Sequence, residues 1–345
     1  MRTGPVTTFL FLGLSFLACE GSHTDLGVEQ TTAASTVAAT SSSTGAGAGN
    51  EGGAPTIVEP DKPPKLTLVN GVIDQPAIQF CFLVSPPEAG DAATPFPETP
   101  LAYAKPVAFA LPSDPIPAAG DVEVVVLTGA LSAVGSVGCR ELADDPVAIP
   151  DLIVQSLGVI PRDALEMQRS LLLVPTGCFA MGHDDAMTPL ICGDAYEPDT
   201  PTPNILIGPM SRVVEFDAIG LQAANAIGGT SLTVDTGVVP ATSPSERTVG
   251  DDVGFGAILP FPPYRGLSSS ELEGPSGAAI RTYLDPGGTV NDEILLGEAM
   301  ENGGLSAEDF QNGTNVVLLG VGPTPGSTEG PWWNPFTYVA LRADP

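Results

Sequence analysis

The sequence has few basic residues. Lysine and arginine together number 12, against 41 aspartate and glutamate residues, and the formal net charge of the 345-residue chain is −29. Lysine occurs only at Lys62, Lys65 and Lys105. Because so acidic a chain repels nucleic acid and anionic membrane surfaces, both are poor partners. The charge fits cations, basic surfaces, or solubility outside the cell.

Histidine and the common catalytic motifs are also scarce. Only His23 and His183 occur, and the motifs G-x-S-x-G, H-E-x-x-H and S-x-x-K are missing. A Ser-His-Asp system in the folded body would therefore need His183, for which we favour the simpler interpretation of a solvent-exposed loop histidine. We predict that the protein is not an enzyme. A hydrolase with a carboxylate pair stays a less favoured alternative, because the separation of two carboxylates cannot be read from sequence.

The first apolar run, "FLFLGLSFLA", is too short to span a membrane, which takes roughly 20 residues. It follows Arg2 and ends at Ala18, just before Cys19. This pattern is typical of a signal peptide, over residues 1–18. It also resembles the lipobox of bacterial lipoproteins, and that resemblance implies cleavage before Cys19 and attachment of a lipid to its thiol. Plain secretion is the second alternative, and a structural Cys19 is the third.

Residues 19–64 are predicted to be a disordered linker that begins at the lipid. Ser, Thr, Ala and Gly dominate this segment and it has no aromatic residue, so it cannot bury enough surface to offset its ordering entropy. A coil of about 45 residues would hold a folded body roughly 35–40 Å from a lipid surface. We expect an exported, lipid-anchored protein of the bacterial envelope, at the outer membrane or cell surface, that contacts the membrane only through its lipid.

The folded body repeats one strand pattern. The stretch "LTLVNGVIDQPAIQF" begins at Leu66 and "LQAANAIGGTSLTV" begins at Leu221, and each has an Asn four residues on, Asn70 and Asn225. The later pairs follow in the same order, and they are "LAYAKPVAFALP" with "VGFGAILPFPPY", "GDVEVVVLTG" with "GAAIRTYLDPGG", "RSLLLVPTG" with "TNVVLLGVG", and "NILIGPMSRVVEF" with "WWNPFTYVALR".

These short apolar segments, in a chain with 40 Gly and 36 Pro, predict many short strands joined by turns. We expect an all-β protein with two Ig-like β-sandwich domains, over residues 65–216 and 217–345. We expect little helix, with a turn or two around "PRDALEMQ" and "NDEILLGEAMEN".

The segment "LVNGVIDQPAIQFCF" resembles the opening strand pair of an uncharacterised bacterial family of extracellular Ig-like domains, the domain-of-unknown-function family 4397. The second copy has "AIGGTS" where that family has a Pro-Asp-Ala-Pro turn. The resemblance implies an Ig-like fold over most of residues 65–345. It implies no catalytic residue.

Four cysteines lie in the body, at Cys81, Cys139, Cys178 and Cys192. An even number in an exported protein indicates two disulfides. We favour Cys178–Cys192, since the intervening loop is short, and this leaves Cys81–Cys139. A metal site of Cys178, His183 and Cys192 is the competing interpretation, although its spacing matches no common zinc motif.

The sequence offers only weak candidates for ligand-binding residues. The acidic pairs Asp184–Asp185 and Asp251–Asp252 would suit calcium, but they lack the alternating spacing of an EF-hand loop, and solvated loops are the alternative. Trp332 and Trp333 are the only tryptophans and would stack on a sugar or pack in the core. We expect no resident cofactor.

The leading hypothesis is a non-enzymatic, lipid-anchored envelope protein with a structural, adhesive or assembly role and with a protein or glycan partner. The alternative is a surface module that binds carbohydrate or calcium through these tryptophans or acidic pairs.

Overall fold

The strands of this protein are short and dominate its structure, as its many glycine and proline residues predict. The structure is a computed structural model. It describes residues 63–87, 93–135, 137–166, 170–213, 216–228, 233–272, 274–284 and 288–343. The predicted signal peptide, Cys19, His23 and all of the predicted linker except its last two residues lie outside this described part. Within it, the chain is all-β, with sheets that pack as sandwiches and only short helices.

The first half of the described chain forms two sheets. Its strands are β1 (Lys65–Val69), β2 (Gly71–Val72), β3 (Ala77–Ser85), β4 (Phe96–Ala102), β5 (Pro106–Ala110), β6 (Asp121–Gly129), β7 (Leu152–Ile160), β8 (Ser170–Gly177) and β9 (Asn204–Met210). In the inner sheet, β1 lies between β5 and β8, with β1 and β8 parallel, and β9 pairs with the other side of β8. In the outer sheet, the order is β4-β3-β6-β7 and all neighbours are antiparallel.

The second half repeats this arrangement. Its strands are β10 (Ile219–Ile227), β11 (Val234–Val239), β12 (Arg247–Val253), β13 (Ile258–Leu267), β14 (Ala279–Tyr283), β15 (Asp292–Leu295), β16 (Asn315–Gly322) and β17 (Thr337–Arg342). The inner sheet has the order β13-β10-β16-β17, again with one parallel pair, β10 and β16. The outer sheet has the order β12-β11-β14-β15. Each strand pairing of the second half therefore has its counterpart in the first.

The two repeated asparagines show the same duplication at atomic detail. The side-chain oxygen of Asn70 accepts a hydrogen bond from the backbone N–H of Val72, and that of Asn225 accepts one from Ile227. Each side-chain nitrogen donates to a backbone carbonyl of a neighbouring strand, at Leu101 and at Val253 respectively. Each buried asparagine thus fixes the point where the first strand of its half passes into the following turn, which is why the sequence repeats it.

Three apolar cores separate the four sheets. One core lies between the inner and outer sheets of the first half, and a second lies between those of the second half. The third lies between the two inner sheets, so these sheets are covered on both faces. Among its side chains are Leu172, Val174, Leu206, Val317, Leu319 and Leu341. Both halves belong to one compact unit.

The helices are short and peripheral. They are α1 (Cys139–Asp144), α2 (Arg162–Glu166), α3 (Thr188–Cys192), α4 (Ser269–Leu272) and α5 (Leu296–Gly303). Helices α2 and α5 lie in the two segments where the sequence predicts helix. No helix in the described segments is both long enough and apolar enough to cross a membrane.

The disulfide Cys81–Cys139 attaches α1 to the outer sheet of the first half. Around it, Leu83, Leu127 and Leu142 form a small apolar cluster that covers the outward face of this sheet. The second disulfide is Cys178–Cys192. These are the two pairs that the sequence favours, and the Cys178 and Cys192 sulfurs are bonded to each other and not to a metal. Disulfides of this kind indicate an oxidising, exported environment.

The last strand of the second half begins later than the sequence predicts. We expected a strand from the tryptophans onward, whereas β17 begins at Thr337 and both tryptophans lie in the preceding loop. Pro335 explains the difference, because a proline provides no N–H for a strand ladder. The domain limits at residues 216 and 217 stay a prediction.

Candidate functional site

Three loops that are distant in sequence meet in the folded chain, and we call the contacts between them the loop junction. The β2–β3 loop contributes Asp74, the segment closed by Cys178–Cys192 contributes His183 and Asp185, and the β16–β17 loop contributes Trp332 and Trp333. The junction brings together four of the candidate residues from the sequence, His183, Asp185, Trp332 and Trp333.

Asp74 is the buried centre of the loop junction. Its side chain is 0% exposed and accepts hydrogen bonds from the backbone N–H groups of Phe179, at 2.9 and 3.0 Å, and Ala180, at 2.8 Å. It also lies 3.1 Å from Nε2 of His183. Three donors directed at one carboxylate compensate for its removal from water.

His183 is not the solvent-exposed loop histidine that we expected. Its side chain is only 15% exposed, because it lies between the Asp74 carboxylate and the indole of Trp332. The ring centroids of His183 and Trp332 are 3.8 Å apart, with an interplanar angle of 12°. The sequence could not show this, since the three residues come from three different loops.

Trp332 is held on two sides. Besides the stacked His183 ring, its Nε1 donates a hydrogen bond of 2.7 Å to Oδ2 of Asp185. This bond and the backbone N–H of Met187 lower the pKa of Asp185 below its ordinary value. Asp185 therefore acts as an acceptor that orients the indole, whereas its neighbour Asp184 is exposed.

Trp333 also packs within the protein. Its ring meets that of Trp332 edge to face at 4.8 Å, and its Nε1 donates to the carbonyl of Thr328 at 2.9 Å. A Cβ on Gly330 would come within 2.1 Å of the Trp333 ring, so the glycine backbone lies against the indole. Both tryptophans therefore make packing contacts within the junction, and sugar stacking on them stays a prediction.

The hydrogen-bond partners of His183 bear on the catalytic alternative. In the described residues the His183 ring has Asp74 as its hydrogen-bond partner and no serine or threonine hydroxyl. The Tyr196 hydroxyl belongs to the same cluster, where it accepts from the His183 backbone N–H and donates to the carbonyl of Ala180. Burial raises the pKa of Tyr196, which makes its phenolate form less accessible.

The second acidic pair, Asp251–Asp252, lies on β12 in the outer sheet of the second half. The backbone N–H of Asp252 donates to Asp235 at 2.7 Å. Burial, followed by the charges of Asp251 and Asp252, raises the pKa of Asp235. The described part of the chain contains no group of three or more His, Cys, Asp or Glu side chains arranged to hold a metal ion. Calcium binding stays a prediction.

Asp74, Tyr196 and Asn334 are the junction residues that sequence reasoning missed. Asn334 joins the two halves, because its side-chain nitrogen donates to the carbonyls of Val72, Ile73 and Gln75. The sequence contains only weak indications of their role. Asp74 is an acid next to an apolar strand within the opening motif, and Asn334 follows the tryptophan pair.

The chain matches no model of a known protein family and no curated protein. The resemblance to the Ig-like domain family therefore stays a prediction, and the functional argument rests on the chain's own residues.

Proposed function

We propose that this protein is a non-enzymatic, lipid-anchored component of the bacterial envelope with a structural, adhesive or assembly role. The observation that carries the proposal is the loop junction, in which the residues best suited to chemistry hold one another. The Asp74 carboxylate holds His183, His183 holds Trp332, and Trp332 holds Asp185. Such an arrangement fixes three loops, and among the described residues it places no activated nucleophile beside the histidine.

The anchor is supported by the N-terminal sequence and by the disulfides. A lipid on Cys19 would place the body at the membrane surface, with the predicted linker as a spacer, and two disulfides suit an oxidising compartment outside the cytoplasm. We propose the outer membrane or cell surface as the location. The charge of −29 favours a protein or glycan partner over nucleic acid.

The anchor is tested by growth of expressing cells with labelled palmitate. The full chain should take up label and enter the detergent phase, because more than one acyl chain gives stable membrane attachment. Cys19→Ala should remove the label and leave the signal peptide uncut. The double variant Cys81→Ala/Cys139→Ala is the control, since it removes other cysteines and should keep the label. Unlabelled wild-type protein with a different N-terminus would contradict the anchor.

The non-enzymatic role is tested separately with a panel of chromogenic esters, glycosides and peptides. No turnover is expected from the purified full chain. Hydrolysis that disappears in His183→Ala would overturn this part of the proposal, and hydrolysis that persists there but disappears in Asp235→Asn would point instead to a carboxylate-based enzyme.

A further inference from the structure

A crevice of about 320 Å³ lies where the two halves meet, beside Gly177 at the end of β8. Its walls come from the segment after α3, the start of β9, the end of β10 and the β12–β13 loop. The residues that matter for its chemistry are Asp194, Thr202, Asn204 and Phe255. Crevices between packed units are preferred places for ligands.

The internal duplication places this crevice at a position whose counterpart in the other half is filled by a side chain. Gly177 ends β8 with a φ of 90°, and Gly322 ends the equivalent strand β16 with a φ of 105°. A Cβ on Gly177 would lie 2.1 Å from the carbonyl oxygen of Thr202, and a Cβ on Gly322 would lie 2.7 Å from that of Pro335. The two glycines thus occupy matching positions.

Tyr103 and Phe255 are the matching aromatic residues. The residue after Tyr103 donates its backbone N–H to the carbonyl of Asn70, and the residue after Phe255 donates to that of Asn225, both at 2.8 Å. The Tyr103 hydroxyl donates to the Pro335 carbonyl at 2.6 Å and thereby occupies the space beside Gly322. Phe255 has no hydroxyl, and beside Gly177 the crevice is open.

The walls of the crevice are fixed before any ligand arrives. Thr202 donates its backbone N–H to Cys178 at 3.0 Å and its hydroxyl to the Cys192 carbonyl at 3.2 Å, so it is tied to both ends of the disulfide loop. On the other side, the bonds of Asn225 to Gly256 and Ala257 hold the loop that carries Phe255. A ligand would therefore meet a preformed site, which reduces the entropy cost of binding.

Two polar side chains that line the crevice have hydrogen-bonding groups available for a ligand. Asn204 accepts from the backbone N–H of Ile205 through its side-chain oxygen, and its side-chain nitrogen makes no hydrogen bond within the described residues. Asp194 is exposed and likewise makes no side-chain hydrogen bond there. A planar amide and a carboxylate next to an aromatic ring can bind hydroxyl groups on one side and a C–H face on the other.

We propose that this crevice binds one neutral sugar residue of a glycan, through the ring of Phe255 and the side chains of Asn204 and Asp194. Its volume lies at the lower end of the range for ligand sites and suits a ligand of that size. Asp194 disfavours phosphates and acidic sugars, since the described residues that line the crevice include no Lys, Arg or His. The proposal rests on the non-enzymatic role above, because the sugar is held and not cleaved.

The test uses the detergent-purified full chain and a neutral glycan array, followed by titration of glucose, galactose, mannose and N-acetylglucosamine by saturation-transfer NMR. At least one of these sugars should bind. Phe255→Ala and Asn204→Ala should each weaken binding at least tenfold, while Phe216→Ala, at a phenylalanine that is 70% exposed elsewhere, should leave it unchanged. Phe255→Tyr should also weaken binding tenfold, because the added hydroxyl can reach the Thr202 carbonyl as Tyr103 reaches Pro335.

Absence of binding to all four sugars and to the array would overturn the proposal. Binding that is equal in the wild type, Phe255→Ala and Asn204→Ala would also overturn it, since the sugar would then lie elsewhere. Circular dichroism of each variant establishes that the fold is kept. The palmitate and hydrolysis experiments give independent results, so failure of the anchor or of the non-enzymatic role is distinguishable from failure of this site.

Discussion

Asp74 is the buried acceptor at the centre of the loop junction, although the sequence does not single it out. Its carboxylate is fully buried, and the N–H groups of Phe179 and Ala180 depend on it as their acceptor. Loss of an acceptor strands a buried donor, and this costs about 1–3 kcal/mol for each donor left unpaired. The stability of the disulfide-closed loop therefore depends on one acid in a different loop.

We expect Asp74→Ala to lower the free energy of unfolding by about 3 kcal/mol, because it strands both N–H groups and the His183 ring. Asp74→Asn, which keeps one oxygen acceptor, should cost less, about 1 kcal/mol. Urea unfolding with intact disulfides measures both. Asp144→Ala, at the exposed end of α1, is the control and should change the value by less than about 0.5 kcal/mol. Equal stability of Asp74→Ala and wild type would contradict this view of the junction.

The predictable parts of the junction are those that depend on short sequence distances. Cys178 and Cys192 are 14 residues apart, so their pairing followed from the ease of closing the loop. His183 and Asp74 are 109 residues apart, and Trp332 lies further still. Nothing in a single sequence brings such residues together, because their contact is set by how the strands between them pack.

At the scale of elements, the two disulfides constrain different parts of the chain. Cys81–Cys139 attaches α1 to an outer sheet and closes 58 residues, whereas Cys178–Cys192 closes 14 residues and holds the loop that carries His183. In the chain-entropy account, a cross-link stabilises more as the loop that it closes becomes longer. By that account the stabilisation is about 4 kcal/mol for the longer loop and about 3 kcal/mol for the shorter one.

We therefore expect Cys81→Ala/Cys139→Ala to be less stable than Cys178→Ala/Cys192→Ala by about 1 kcal/mol in urea unfolding. The native tryptophan fluorescence should change only in the second variant, because Trp332 stacks on a residue of that loop. The two double variants serve as matched controls for each other. A reversed order of stability would show that native-state packing outweighs chain entropy here.

The correspondence between the strands of the two halves was predictable, because the sequence repeats the segments that form them. The matched segments lie at corresponding positions of the two halves, and the asparagines make corresponding hydrogen bonds. What the repeat could not show is the difference between the copies. The connection after β6 includes a helix and a cysteine that cover the outer sheet, whereas the β14–β15 connection is short, and such differences arise from insertions with no periodic pattern.

At the scale of the whole molecule, the two inner sheets make one body of the two halves. Strand β16 is buried along its full length because alternate residues face different cores. Leu318 points into the core of the second half, and Leu319 points into the core between the inner sheets. A continuous apolar run such as "NVVLLGVG" is typical of a strand buried on both faces. The pattern reveals double burial but not which sheet lies on the second face.

The two leucines allow this packing to be tested in the intact chain. We expect Leu318→Ala and Leu319→Ala each to lower the free energy of unfolding by about 2–5 kcal/mol, because both side chains are 0% exposed. Leu190→Ala, at a leucine that is 48% exposed, is the control and should change it by less than about 1 kcal/mol. Urea unfolding provides the measurement. If the halves were independent sandwiches, Leu319 would face water and its replacement would be nearly neutral, so a harmless Leu319→Ala beside a damaging Leu318→Ala would refute the shared core.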